Sequence, residues 1–271
     1  MHCLNAHQLV LNCAYIGSTS NTLVDYLIKY DMNWNNYLLE NKSPSGHYAH
    51  LGVFEGAVGG VFDLSAIPND TKILEMSTPL KKFKLKYTNL TSLNNHPNIE
   101  AIRLGEIDDE RLAVFSSLPN LKYLQISTNK QSEIPDLSCL KNLEVLILSG
   151  IKKVANINFL EGLSNLKTLY IHELNNLYNL TVISALTNLE ELFLDHGKMS
   201  GTGQGIKSME PLSKLTNLKY LTFALNVEKK NYDITPLLSL KKIEKLMILP
   251  RYLGNGQREI LLKELPLLKE L

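Results

Sequence analysis

The chain has 271 residues, 44% of them hydrophobic and 20% charged, a balance that excludes a disordered polymer and supports a sizeable core. Lysine plus arginine number 28 and aspartate plus glutamate 27, for a net charge of +1, which argues against a protein that coats DNA or RNA. No run reaches the roughly 18 apolar residues of a membrane span, and Cys3, Cys13 and Cys139 are an odd set without framework spacing, which favours free thiols in a reducing compartment.

The start of the chain, Met1 to His7, lacks a basic region, and Asn12 interrupts the apolar stretch Leu9 to Ile16. That is a poor secretory signal, so the expectation is a cytoplasmic protein in which the Asn-x-Ser/Thr triplets at Asn41, Asn69, Asn89 and Asn179 are chance. Residues 1–78 read as an α+β N-terminal cap. Asn21 to Glu40 suits a helix capped by Ser20 or Asn21, with Leu23, Leu27, Tyr30 and Trp34 along one face. Lys42 to Gly46 is a loop, and Gly52, Gly56, Gly59 and Gly60 break an apolar stretch into short strands. Leu64, Ile67 and Ile73 suit a degenerate first repeat.

From residue 79 to residue 271 the sequence repeats itself. Leu121-Lys-Tyr-Leu124-Gln-Ile126-Ser-Thr-Asn129 has the pattern L-x-x-L-x-L-x-x-N, and the same leucine positions return at Leu143/Leu146/Leu148, Leu166/Leu169/Ile171, Leu189/Leu192/Leu194, Leu218/Leu221/Phe223 and Ile243/Leu246/Ile248. Ile99/Ile102/Leu104 and Leu80/Phe83/Leu85 precede them, and Leu268 and Leu271 begin a truncated last copy. Successive first positions lie 19, 22, 22, 23, 23, 29, 25 and 25 residues apart, which makes about eight units. Each x-L-x-L segment alternates as a strand with one buried face must. Each second half carries an apolar residue every third position, as in Ile157/Leu160/Leu163 and Leu180/Ile183/Leu186, the period of a 3₁₀ turn. One such unit cannot bury its own apolar edge, so copies must stack.

With the lead-in triplets Pro119-Asn120-Leu121, Thr187-Asn188-Leu189 and Thr216-Asn217-Leu218, this stretch resembles leucine-rich-repeat proteins, in particular their short-repeat bacterial internalin-like subclass. The resemblance implies an α/β right-handed solenoid with a concave parallel β-sheet, convex 3₁₀ or short-helix returns, and a role in protein recognition. The asparagine that ends the family's pattern is kept at Asn129 and Asn226, and replaced by Ile107, Ile151, Leu174, Gly197 and Arg251. Those turns must satisfy their backbone groups in another way.

Alternation also predicts which side chains project from the concave side. The residue between the two central leucines reads Lys84, Arg103, Gln125, Ile147, Tyr170, Phe193, Thr222 and Met247 down the repeats. The flanking columns contain Lys82, Tyr123, Val145, Thr168, Glu191, Tyr220 and Lys245 on one side, and Ser127, Ser149, His172, Asp195 and Leu249 on the other. A basic end (Lys82, Lys84, Arg103) and an exposed apolar stripe from Tyr123 through Val145, Ile147, Tyr170, Phe193 and Tyr220 to Met247 are the expectation, with Glu191, Asp195 and His172 as a polar flank. Such a stripe suits a protein partner; the alternative is that it packs on an N-terminal segment folded into the groove.

Other chemistry is weaker. His47 and His50 with His2, His7, Cys3 and Cys13 lack the two paired ligand sets of a structural zinc site. In Gly201-Thr-Gly203-Gln-Gly205-Ile-Lys207-Ser208, Ile206 separates glycine from lysine, unlike a phosphate-cradling loop, and an inserted loop is the better reading. Cys139 suits a small buried thiol on a convex return. No catalytic triad assembles, so no enzyme activity, cofactor or metal is expected. The expected partner is a protein, not nucleic acid or a membrane, with oligomeric state left open. An immunity protein that plugs a secreted toxin is the sharper form of that reading. A catalytic or ligand-binding N-terminal domain is the competing one.

Overall fold

The computed structural model describes residues 61–76, 86–127, 130–173, 175–196 and 205–271. The expected helix Asn21–Glu40, the His47/His50 pair and the cysteines Cys3 and Cys13 lie outside the described residues. Ten strands are described: β1 Val61–Asp63, β2 Ile73–Met76, β3 Lys86–Thr88, β4 Ala101–Leu104, β5 Tyr123–Ser127, β6 Val145–Ser149, β7 Thr168–His172, β8 Glu191–Asp195, β9 Tyr220–Ala224 and β10 Lys245–Ile248. Eight of them form one sheet in the order β10-β9-β8-β7-β6-β5-β4-β2, every neighbouring pair parallel.

The register aligns equivalent positions of successive repeats. Leu74, Ile102, Leu124, Leu146, Leu169, Leu192, Leu221 and Leu246 are consecutive partners across the sheet, and all are buried. A slip by one residue would turn this whole row to the other face, so the leucines themselves specify the pairing. The triplet period behaves as expected on the convex side. In the repeat after β7, the amides of Ile183, Leu186 and Leu189 donate to the carbonyls of Leu180, Ile183 and Leu186 at 2.9–3.0 Å, so each buried apolar residue also closes a 3₁₀ turn. One return is instead a true helix, α1 (Asp109–Ser116), whose N-cap Asp108 accepts from the Arg111 amide, satisfying one free N–H of its first turn. A second, α2 (Gln257–Glu264), follows β10.

The N-terminal end departs from the spacing. The sheet passes directly from β4 to β2, with Ile73 and Glu75 opposite Ala101 and Arg103. Leu80, Phe83 and Leu85, and with them Lys82 and Lys84, lie outside the described residues. The adjoining Lys86–Thr88 pairs with β1 in a separate two-stranded parallel sheet. The expected basic end is therefore not built from a strand between β2 and β4. Thr71, buried at the first position, and Met76 in place of the last leucine disguise this edge repeat in the sequence.

Two ladders tie the repeats together. The asparagine before each first leucine donates through Nδ2 to a main-chain carbonyl of the preceding repeat: Asn120 to Pro97, Asn142 to Pro119, Asn165 to Lys141, Asn188 to Ser164 and Asn217 to Thr187, at 2.7–3.0 Å. Immediately after each first leucine, or its equivalent, the charge alternates: Lys72, Glu100, Lys122, Glu144, Lys167, Glu190, Lys219, Glu244, Lys269. Ion pairs join neighbours along this rim, with Lys167–Glu144 and Lys269–Glu244 at 2.6 Å and Lys219–Glu190 at 2.5 Å. The substituted turns also find partners. Gln131 exchanges two hydrogen bonds with the backbone of Ile107, and Arg251 donates to Asn226.

Glu144→Lys would place a third lysine on the rim between Lys122 and Lys167. Urea unfolding should show a loss of about 1 kcal/mol at low ionic strength, for a partly exposed ladder. Most of it should return in ~1 M salt, where screening acts within about 3 Å.

Candidate functional site

Residues three, five and seven of each repeat share the sheet face opposite the convex turns, because side chains alternate along a strand. Their geometry is clearest on β7 and β8, where three rows cross the pair. Thr168 Oγ1 donates to Glu191 Oε2 at 3.1 Å. Next to it, Tyr170 and Phe193 stack with centroids 4.9 Å apart and rings 4° from parallel. Beyond them His172 Nδ1 lies 3.2 Å from Asp195 Oδ2, outside the alignment of a hydrogen bond. The result is an aromatic pair between two polar pairs. On β5 the same columns form a chain along one strand: Tyr123 Oη donates to Gln125 Oε1 at 3.0 Å, and Gln125 Nε2 to Ser127 Oγ at 3.3 Å.

The structure corrects one expectation about this face. The stripe was expected to be exposed, yet Ile147 is 0%, Tyr170 2% and Phe193 6% exposed. Tyr123, Val145, Arg103, Gln125, His172, Glu191 and Asp195 are buried with them. Towards the C-terminal end the face opens, where Tyr220, Thr222, Lys245, Met247 and Leu249 are half-buried. Of the expected site, Arg103 and the residues from Tyr123 to Met247 are brought onto one face in neighbouring rows, while Lys82 and Lys84 lie outside the described residues. Gln125, Ser149 and Thr168 were not singled out as site residues, although the alternation that selected their neighbours selects them equally.

Burial has an electrostatic consequence. Desolvation pushes the Glu191 carboxyl up to about 7, aided by the neighbouring Glu190 charge and opposed by the Thr168 hydrogen bond and Lys219. The side chain thus keeps its proton to a higher pH than an ordinary carboxyl does.

Other candidates resolve differently. Cys139 is exposed, not buried, because it falls between Leu137 and Leu140 of the triplet period and so points outward from the turn. Gly205 lies where an added Cβ would meet the Glu228 backbone nitrogen at 2.9 Å, and Ile206 pairs with Val227 as a parallel bridge. This part of the glycine-rich loop is therefore packed against backbone and offers no open phosphate cradle. Among the described residues, no group of three or more His, Cys, Asp or Glu side chains is placed to hold a metal ion, and no helix is long and apolar enough to cross a membrane.

A leucine-rich-repeat protein from Leptospira interrogans aligns with 76% of this chain and 55% of its own, at 19% identity and a TM-score of 0.50. The fold is a leucine-rich-repeat solenoid. Internalin C2 from Listeria monocytogenes aligns over 75% of this chain and 94% of its own, at 21% identity and a TM-score of 0.47. By sequence, the chain is 26% identical over 124 residues to an acidic leucine-rich nuclear phosphoprotein 32-related protein of Plasmodium falciparum (isolate 3D7). That match spans 43% of this chain and 44% of the relative. The chain matches no family model.

Because Glu191 holds its proton more tightly in the folded solenoid than the ordinary carboxylate value of 4.5, its contribution to stability is full below that value. It is lost as pH rises through about 7, by up to roughly 3 kcal/mol for a shift of this size. Glu191→Gln should flatten that slope and be the more stable form in mildly alkaline buffer. Urea midpoints measured across this range check it.

Proposed function

We propose that this solenoid is a non-catalytic protein-binding module that receives a partner protein on its concave sheet face. One observation carries the reading. The outward columns of an all-parallel sheet hold Tyr220, Met247 and Leu249 half-open to solvent, continuous with the buried Tyr170–Phe193 stack. Solvent-facing positions of a soluble protein are ordinarily polar, and aromatic and methionine side chains are the usual anchors of protein interfaces. Lys245, half-buried beside Tyr220 in the sheet register, supplies a charged rim to such a contact.

A narrower form of the same reading makes the protein a cytoplasmic bacterial inhibitor that plugs a toxin's active site. Its support is the short repeat length and the asparagine-containing lead-in triplets. Discovery of a toxin gene beside this one would favour that form over a general scaffold.

Tyr220→Ser combined with Met247→Ser removes the two open anchors while sparing the buried leucine row. Affinity capture from native cells followed by mass spectrometry should recover a partner with the unsubstituted chain. Recovery with the double variant should fall at least tenfold, the equivalent of about 1.4 kcal/mol. Equal recovery with a variant of unchanged circular dichroism would remove the concave face from the reading.

A further inference from the structure

The charged rim is an ordered array as well as a tie between repeats. The residues after each first leucine are joined main chain to main chain, the amide of each donating to the carbonyl of the one before. The chain of bonds runs from Glu100 on Lys72 to Lys269 on Glu244, at 2.8–2.9 Å throughout. The rungs therefore keep the strand spacing of about 4.8 Å, and their alternating charges stand at fixed intervals. Their side chains reach solvent, with Lys167 42%, Glu190 41% and Lys219 42% exposed. A groove of about 430 Å³ runs beside them, lined by the rungs from Lys122 to Lys219 and by the asparagines from Asn142 to Asn217. Another chain can reach the charges there.

Such a ladder has a property that a patch of one sign lacks. A twofold axis facing the rim to itself reverses the order of the rungs, whether the rim is straight or curved. An axis through a rung sets every lysine on a lysine and every glutamate on a glutamate. An axis between two rungs sets every lysine on a glutamate. The axis between Glu144 and Lys167 places Lys72 against the second copy's Glu244, Glu100 against Lys219, Lys122 against Glu190 and Glu144 against Lys167. The adjacent row, just before each first leucine, selects the same axis. It reads Asp70, Asn98, Asn120, Asn142, Asn165, Asn188, Asn217, Lys242. Asp70 then faces Lys242, and every asparagine between them faces another asparagine. One rung further on, between Lys167 and Glu190, the axis would set Leu267 on Asn98 and Lys242 on Asn120 instead.

We propose that these two rows are a self-recognition surface, and that two copies of the chain pair rim to rim about the axis between Glu144 and Lys167. Repulsion between like charges in the neighbouring on-rung registers fixes the alignment. The contact is only two rows wide and about 34 Å long. That is small for a permanent interface, so the dimer forms at high protein concentration and low salt. The rim lies at the starts of the strands, and pairing does not use the concave anchors Tyr220 and Met247.

Sedimentation should give the monomer mass of 30.6 kDa in ~1 M salt, where charges are screened beyond about 3 Å. In low salt and concentrated protein it should give twice that mass. Glu100→Lys and Lys219→Glu should each weaken the low-salt dimer at least tenfold. Combined in one chain they should restore it, because each altered charge again faces its opposite in the second copy, although both still break the alternation within their own chain. A role confined to the single chain predicts the reverse, with the double variant the worst. A monomer under all conditions, a dimer indifferent to salt or to either single substitution, or a double variant that stays monomeric overturns the proposal. Should a variant lose its circular dichroism, the unsubstituted chain gives a second measurement. A carbodiimide, which joins amine to carboxylate directly, should link Glu100 to Lys219 in a species of doubled mass. Within one chain those rungs lie about 24 Å apart, too far for such a link. Doubled species lacking it overturn the proposed axis. Partner capture at the concave face stands or falls separately from either result.

Discussion

Each repeat is too thin to bury its own leucines, and the rest of this structure follows from that constraint. A strand of four or five residues followed by a single 3₁₀ turn has an apolar edge on both sides, and only another copy can cover it. The parallel leucine row from Leu74 to Leu246 and the convex row through Leu137, Leu160, Ile183, Leu212 and Leu237 are the two lines along which copies meet, and all of these residues are buried. Each convex residue also takes part in an i→i+3 hydrogen bond, so a substitution there disturbs burial and backbone pairing together.

Stacking by leucines alone would leave the edges of each repeat with unpaired carbonyls. The asparagine rungs meet that need from Asn120 to Asn217. Their place is before the first leucine, not after the last, so they are separate from the pattern-ending asparagine that Ile107 and Ile151 replace. At Ile107 a glutamine from the next repeat takes over both backbone groups. The alternating lysines and glutamates beside these rungs add modest electrostatic support, since most are partly exposed. Their regular alternation gives each inner charge an opposite neighbour on both sides and no like neighbour at contact distance.

The concave face follows a different logic. Between β7 and β8 a stacked aromatic pair separates two polar pairs, and the low dielectric of the buried zone is strong enough to lift the Glu191 carboxyl to about 7. A carboxyl in that state is sensitive to whatever lies over it.

The repeat, its register and its convex period were legible from residue order, because they depend on apolar residues at short, fixed spacings such as Leu180/Ile183/Leu186. Alternation was also sufficient to place Tyr123, Ile147, Tyr170, Phe193 and Met247 on one face. Residue order did not show that Ile73–Met76, with Thr71 and Met76 at leucine positions, is the edge strand next to Ala101–Leu104, a pairing across 28 positions in the register. Nor did it show that the central column is buried. Periodicity tells which side of a strand a residue faces. What lies beyond that side depends on residues distant in the chain, and only the tertiary structure brings those together.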